Sequence, residues 1–250
     1  MFYLEQPSPD QQVLIRQALN EDVNTRDKDL EAIKEWLRKE PHLPDTWDDA
    51  MLMTFLRSCN FSLEKTKRRL DKYFTVKTIV PEFFTECDIA RPEMQTIVNA
   101  LEIATMPGMT PEGRRVHIAR IATSDFEDFD YNYFARVIFM VADVYLKSEK
   151  LGSAGEVYVL DGENYRLKHL LKLLPIFAKN FSEFLPEAYG GTAGKLKLHW
   201  DKYLAAFEDF KPWFKEQENI KADESKRPGK TTSYEDCFGL HGSFRSLAVD

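Results

Sequence analysis

Apolar residues recur every three or four positions through the first third of this chain and every second position between Arg115 and Ile121. This change of period is the strongest constraint on the fold, because the first pattern suits helices and the second a half-buried strand. Leu30, Ile33, Trp36 and Leu37 share one face of a helix predicted over Arg26–Lys39, and Pro41 and Pro44 stop it. Asp45 or Thr46 is expected to cap the next helix, which turns Met51, Leu52, Phe55 and Leu56 inward. Ser62 is placed to cap a third, carrying Leu63, Leu70, Tyr73, Phe74 and Val76 and ending at Pro81. With a short candidate helix over Asp10–Leu19, this reads as a three- or four-helix N-terminal bundle.

The middle of the chain reads as an α/β layer. Arg115–Ile121 alternates after the turn Pro111-Glu112-Gly113, as a strand does. Asp130 is expected to cap a helix through Lys150 with Phe134, Val137, Ile138, Val141 and Tyr145 as its apolar stripe. Gly155 opens a second strand, Glu156–Leu160, and a helix from Arg166 to about Asn180 follows. Strand, helix, strand, helix in this order implies parallel pairing. A helix over residues 196–218 returns to cover the assembly. Asp223–Thr232 is charged, contains Pro228-Gly229 and reads as a mobile linker, and the aromatic residues after it suit docking back.

Several function classes find no support. A net charge of −7 argues against general nucleic-acid binding. Three cysteines without metal-type or CxxC spacing fit a reducing compartment. The first residues lack the basic and apolar regions of a secretory signal, and no apolar run approaches the ~18 residues of a membrane span, so a cytoplasmic protein is expected, with peripheral membrane contact open to it. The five histidines are scattered, and no nucleophile elbow or metalloprotease motif occurs. Gly190–Lys195 approaches a phosphate loop, but Tyr189 occupies the first glycine position and Leu196 the magnesium-binding one. No catalytic residue, metal or cofactor is expected, and the chain reads as a non-enzyme.

Three segments in order carry a family resemblance: Phe55–Thr66, the strand Val157–Gly162 that ends in Asp-Gly, and the turn Leu185-Pro186-Glu187-Ala188-Tyr189-Gly190-Gly191. With Pro111–Val116, His169 and the terminal Gly242-Ser243-Phe244-Arg245, they resemble the CRAL-TRIO lipid-transfer family of the tocopherol-transfer and retinaldehyde-binding type, with an arthropod-like C-terminus. Each segment is weakly specific, and their order carries the resemblance. One departure is large. In the family, several dozen residues separate the histidine-bearing helix from the glycine turn and supply two strands and a gate helix. Here only residues 170–184 intervene. An internal deletion before Leu185 implies a truncated sheet.

The resemblance implies an α/β fold behind an all-helical N-terminal domain. The expected units are a helical domain over 1–85, a truncated lipid-binding domain over 86–220, and a linker and tail over 221–250. It further implies binding and intracellular transfer of a small hydrophobic ligand, tocopherol-, retinoid- or phosphatidylinositol-like, with phosphoinositide contact at a membrane. Phe134, Ile138, Phe139, Val141, Tyr145, Tyr158, Leu160, Leu171 and Phe177 are the candidate pocket wall, and the same residues equally suit a plain core. Lys65, Lys67, Arg68 and Arg69, with Lys72 beside them, are candidates for anionic headgroups, and a solvated helix face is the alternative. Arg57 suits a salt bridge within the N-terminal domain better than a phosphate. The competing functional reading is a pocket-deficient module that binds membranes or proteins without carrying lipid.

Overall fold

A computed structural model describes residues 4–123, 130–164 and 194–233. The chain begins with α1 (Pro9–Leu19), α2 (Arg26–Lys39), α3 (Asp49–Ser58) and α4 (Leu63–Ile79). Asp48, rather than Asp45 or Thr46, caps α3, its carboxylate accepting from the amides of Ala50 at 2.8 Å and Met51 at 3.4 Å. The cap sits directly before the first apolar turn, where the unpaired amides are. Asn60 and Phe61 both take left-handed φ values, 52° and 55°, and so reverse the chain between α3 and α4. Ser62 stands at the N-cap position of α4 without a side-chain capping bond.

Helices α2, α3 and α4 enclose one core, built on Ile33, Leu37, Leu52, Leu56, Leu70 and Phe74. Trp47 closes it, its ring centroid 5.4 Å from Phe55 and 5.0 Å from Phe74. α1 packs elsewhere. Its Ile15 is buried against Gly113, and Gln11 Nε2 donates to the Thr110 carbonyl at 2.9 Å, so α1 rests on a turn of the sheet.

Helix α5 (Pro92–Ala100) runs directly into β1 (Leu101–Met109), and β2 (Arg115–Ile121), α6 (Tyr131–Ser148), β3 (Glu156–Asp161) and α7 (Leu196–Gln217) follow. β2 pairs with β3 in parallel, as the strand-helix-strand order implies, and with β1 antiparallel. Thr105, His117 and Tyr158 share one cross-strand row. Among the described residues the sheet has three strands in the order β1-β2-β3, in keeping with a truncated CRAL-TRIO-like α/β fold behind N-terminal helices.

β1 was not expected from the sequence. Most of its residues are buried on either side of the strand, so it lacks polar-apolar alternation, and it contains Pro107-Gly108. The ladder changes register between Thr105 and Met109, which accommodates the proline. The Pro107 carbonyl instead accepts from the Glu5 amide at 2.8 Å and from Arg115 Nη1 at 2.6 Å.

α6 starts where expected, with Asp130 accepting from the Asn132 amide at 2.7 Å. Val137, Met140 and Val144 of α6 share the second core with Val116, Ile118, Trp200, Tyr203 and Phe207. Beyond α7 the chain returns to the N-terminal helices. Ala222 enters their core, and its amide donates to the Phe74 carbonyl at 3.1 Å. Arg227, inside the stretch read as a linker, donates to both carboxylate oxygens of Asp71 on α4, at 3.0 and 2.6 Å. The helix expected over Arg166–Asn180 and the turn Leu185–Gly191 lie outside the described residues.

Candidate functional site

The basic run of α4 is set on one side by helical spacing. Positions 65, 68, 69, 72, 73 and 76 follow each other at intervals of three and one and form a stripe on one helix face. Leu70 and Phe74, on the opposite side, are fully buried in the N-terminal core. The stripe borders a groove of about 740 Å³ whose other walls are α3, α6 and the segment after α4. Its floor is apolar: Phe55, Tyr73, Val76, Phe84, Phe139 and Leu146. Phe84 and Phe139 touch ring to ring with centroids 4.6 Å apart.

Lys65, Arg68, Arg69 and Lys72 form the rim, and none of the four makes an ion pair with another described residue. Arg69 is tied to the end of α3 through the Ser58 carbonyl and hydroxyl, at 2.8 and 3.0 Å. Lys67 points away from the groove and pairs with Glu64 at 2.8 Å. Three of the four sequence-derived basic candidates thus meet at the groove, joined by Lys72.

Behind the floor lies a buried polar cluster. The Tyr73 hydroxyl donates to Asp143 Oδ1 at 3.3 Å, and Lys77 Nζ stands 5.4 Å from the centroid of the Tyr73 ring. Lys77 is 2% exposed, and its ammonium has no hydrogen-bond partner among the described residues. Burial pushes Lys77 down to about 8 and Asp143 up to about 6. Burial, aided by Asp143, also raises the Tyr73 hydroxyl and pushes the Cys87 thiol up to about 12.

A second cavity of about 430 Å³ adjoins the groove and shares Ser58, Arg69 and Leu146 with it. Its walls are polar, including Arg57, Tyr145, Glu149, Ser153 and Glu156. Arg57 is committed to Glu21 and to the Lys150 carbonyl, so it serves as an internal ion pair. Tyr145 donates to Glu156 Oε1 at 2.9 Å, and its ring meets His117 edge-on at 4.9 Å. Lys197, in the first turn of α7, pairs with Asp201.

The candidate wall residues are spread over several environments. Phe139 lines the groove. Val141 is buried in the second core, and Phe134 packs at its edge. Tyr145 borders the polar cavity. Ile138 is 37% and Tyr158 55% exposed, and Leu160 is half-buried on β3. Leu171 and Phe177 lie outside the described residues. The floor residues Phe55, Phe84 and Leu146 escaped the sequence reading because they come from three elements whose meeting no periodicity encodes. Tyr73 and Val76 could have been found by extending the α4 stripe.

Comparison with known proteins covers both halves. The family model "Pinta-like, UBA domain" matches residues 22–94, which begin after α1 and include α2–α4. The mouse alpha-tocopherol transfer protein-like protein is 24% identical over 176 residues, 70% of this chain and 50% of that protein. Rat clavesin-1 is 23% identical over 192 residues, 75% of this chain and 53% of its own length. Rat clavesin-2 is 21% identical over 213 residues, 84% and 65% respectively. The chain spans about half the length of the first of these relatives. Among the described residues no helix is long and apolar enough to cross a membrane. The curated relatives of this chain are members of the CRAL-TRIO family, the family that its motifs resemble.

Proposed function

We propose that this protein binds a small hydrophobic ligand and transfers it within the cell, without catalysis, touching anionic lipid through the basic face of α4. The observation that carries this reading is the groove itself: an apolar floor rimmed by four cations in a chain of net charge −7. An apolar floor favours hydrocarbon at ~25 cal/mol per Å² of buried surface, and each rim cation near an anionic surface adds ~1 kcal/mol. The similarity to a protein named for tocopherol transfer supports a tocopherol-like ligand, and retinoid- and phosphatidylinositol-like ligands belong to the same proposal on the motif resemblance alone. Phosphoinositide contact by Lys65, Lys67, Arg68 and Arg69, and a ligand wall that includes Phe134, Ile138, Phe139, Val141, Tyr145, Tyr158, Leu160, Leu171 and Phe177, belong to the same proposal.

A second reading has its own support. Ile138 and Tyr158 are substantially exposed, and the described wall candidates do not share one cavity. A chain of this kind would serve as a membrane or protein interaction module without cargo. Organic extraction of the purified protein with mass spectrometry separates the two. One lipid per chain is the outcome expected for carriage, whereas lipid-free protein that still sediments with anionic vesicles supports the module.

A further inference from the structure

We propose that the α4–α6 groove is a binding site for a free single-chain amphiphile with a phosphomonoester head, the chemistry of a lysophosphatidic acid. The proposal rests on the lipid-binding reading above and names the ligand chemistry of this groove.

The head follows from the charge. Lys65 and Lys72 are separated by two helical turns, about 10 Å at ~1.5 Å per residue, with Arg68 and Arg69 between them. Among the described residues no carboxylate lines the groove, although Asp and Glu outnumber Lys and Arg by 41 to 34 in the chain. A carboxylate head brings one charge to this rim. A phosphomonoester brings about −1.5 to −2 near neutral pH and three acceptor oxygens, which suits several cations converging from one helix face. Arg69 is already oriented by Ser58, Arg68 gives its Nε to the Glu64 carbonyl at 3.3 Å, and Lys65 and Lys72 complete the rim.

The tail follows from the floor. Phe55, Tyr73, Val76, Phe84, Phe139 and Leu146 form an apolar strip, and the cavity of about 740 Å³ falls within the ~300–1,000 Å³ of small-ligand sites. The α4 wall above the strip is basic, so a second acyl chain would lie against charge rather than hydrocarbon. One chain on the floor with its phosphate at the rim satisfies both surfaces.

Calorimetric titration of the full chain, below the micelle concentration, tests this with four probes: oleoyl lysophosphatidic acid, oleoyl lysophosphatidylcholine, glycerol 3-phosphate, and vesicles of diacyl phosphatidic acid. The expected result is one-to-one binding of lysophosphatidic acid, at least tenfold tighter than lysophosphatidylcholine, with glycerol 3-phosphate weaker still. The triple variant Lys65→Gln, Arg68→Gln, Lys72→Gln alters exposed side chains and should fold normally. It is expected to lose at least tenfold for lysophosphatidic acid and little for lysophosphatidylcholine. Phe139→Trp, which fills the floor, is expected to weaken both lysolipids. Equal affinity for the two lysolipids, indifference to the triple variant, or preference for diacyl vesicles would overturn the proposal. Co-purified lipid whose occupancy ignores all groove variants would leave ligand carriage standing and remove this site. Groove binding of lysophosphatidic acid by protein that purifies lipid-free would do the reverse.

Discussion

Arg57 grips Glu21 with two parallel bonds, Nε to Oε2 at 3.0 Å and Nη2 to Oε1 at 2.9 Å, where both side chains are almost wholly buried. The pair joins the end of α3 to the turn that follows α1, and Arg57 also reaches the Lys150 carbonyl beyond α6. One side chain thus ties the N-terminal helices to the α/β layer.

Removing one partner of a buried pair leaves a charge without compensation, at a cost of about 3–5 kcal/mol. Arg57→Ala is expected near the lower end, because Arg26 still reaches Glu21 at 3.0 Å. Burial raises the Glu21 pKa, but hydrogen bonds and charge from Arg57 and Arg26 outweigh it and hold the carboxyl below its ordinary 4.5. This stabilisation is complete above pH 4.5 and is lost as pH falls through the lower folded-state value. Urea midpoints of parent and variant from pH 7 to 3 should therefore converge on acidification, and a constant gap would contradict the assignment.

Lys77 carries the opposite linkage. Its folded value of about 8 lies below its ordinary 10.5, so the unfolded chain binds more protons between these limits. Stability from this group is expected to rise with pH from about 8 toward 10.5. Lys77→Met removes an ammonium without a hydrogen-bond partner and keeps the length of the side chain. The burial cost of the ammonium disappears, but Asp143 loses the charge that offsets it, so the net gain should be no more than about 1–3 kcal/mol at pH 7 while the alkaline rise flattens. Thermal melts across that range measure both effects, and a destabilised variant would mean that Lys77 is paired to Asp143 more strongly than the geometry indicates.

Arg227 holds residues 222–227 on α4 through Asp71 and Thr75, and pairs with Glu224 within the segment. Arg227→Ala should cost about 1–2 kcal/mol, since charged hydrogen bonds are lost at a site that is partly open. The sharper readout is local. Amide hydrogens of Ala222 and Asp223, bonded to Phe74 and His42, should exchange faster while those of α7 remain protected. Unchanged exchange at these two amides would show that Ala222 packing alone holds the strap.

Gly113 adopts φ +78°, and a Cβ there would come within 3.0 Å of Ile15 Cγ1. Gly113→Ala combines backbone strain with displacement of α1 from the β1–β2 turn and should destabilise by about 1–3 kcal/mol. Pairing it with Ile15→Val tests the contact. A smaller combined loss than the sum of the two single losses is expected, whereas strict additivity would place the whole effect in the backbone.

The sequence by itself determined the elements whose pattern is local. The stripe of Leu30, Ile33 and Leu37 specified α2, alternation from Arg115 to Ile121 specified β2, and strand-helix-strand order specified the parallel β2–β3 pair. It also determined that Lys65, Arg68, Arg69 and Lys72 share one face of α4, because helical geometry fixes that from spacing alone. Tertiary structure decided the rest. β1 gave no period because its residues are mostly buried whichever way they point, and the position of Asp48 as a cap depended on where α3 actually starts. Only packing brought Phe84 and Phe139, 55 positions apart, into ring contact beneath the α4 cations. Only packing stripped Lys77 and Asp143 of water and moved their pKa values toward each other. Periodicity records which face of an element is apolar, whereas a site depends on which faces of different elements meet, and that is set by contacts distant in sequence.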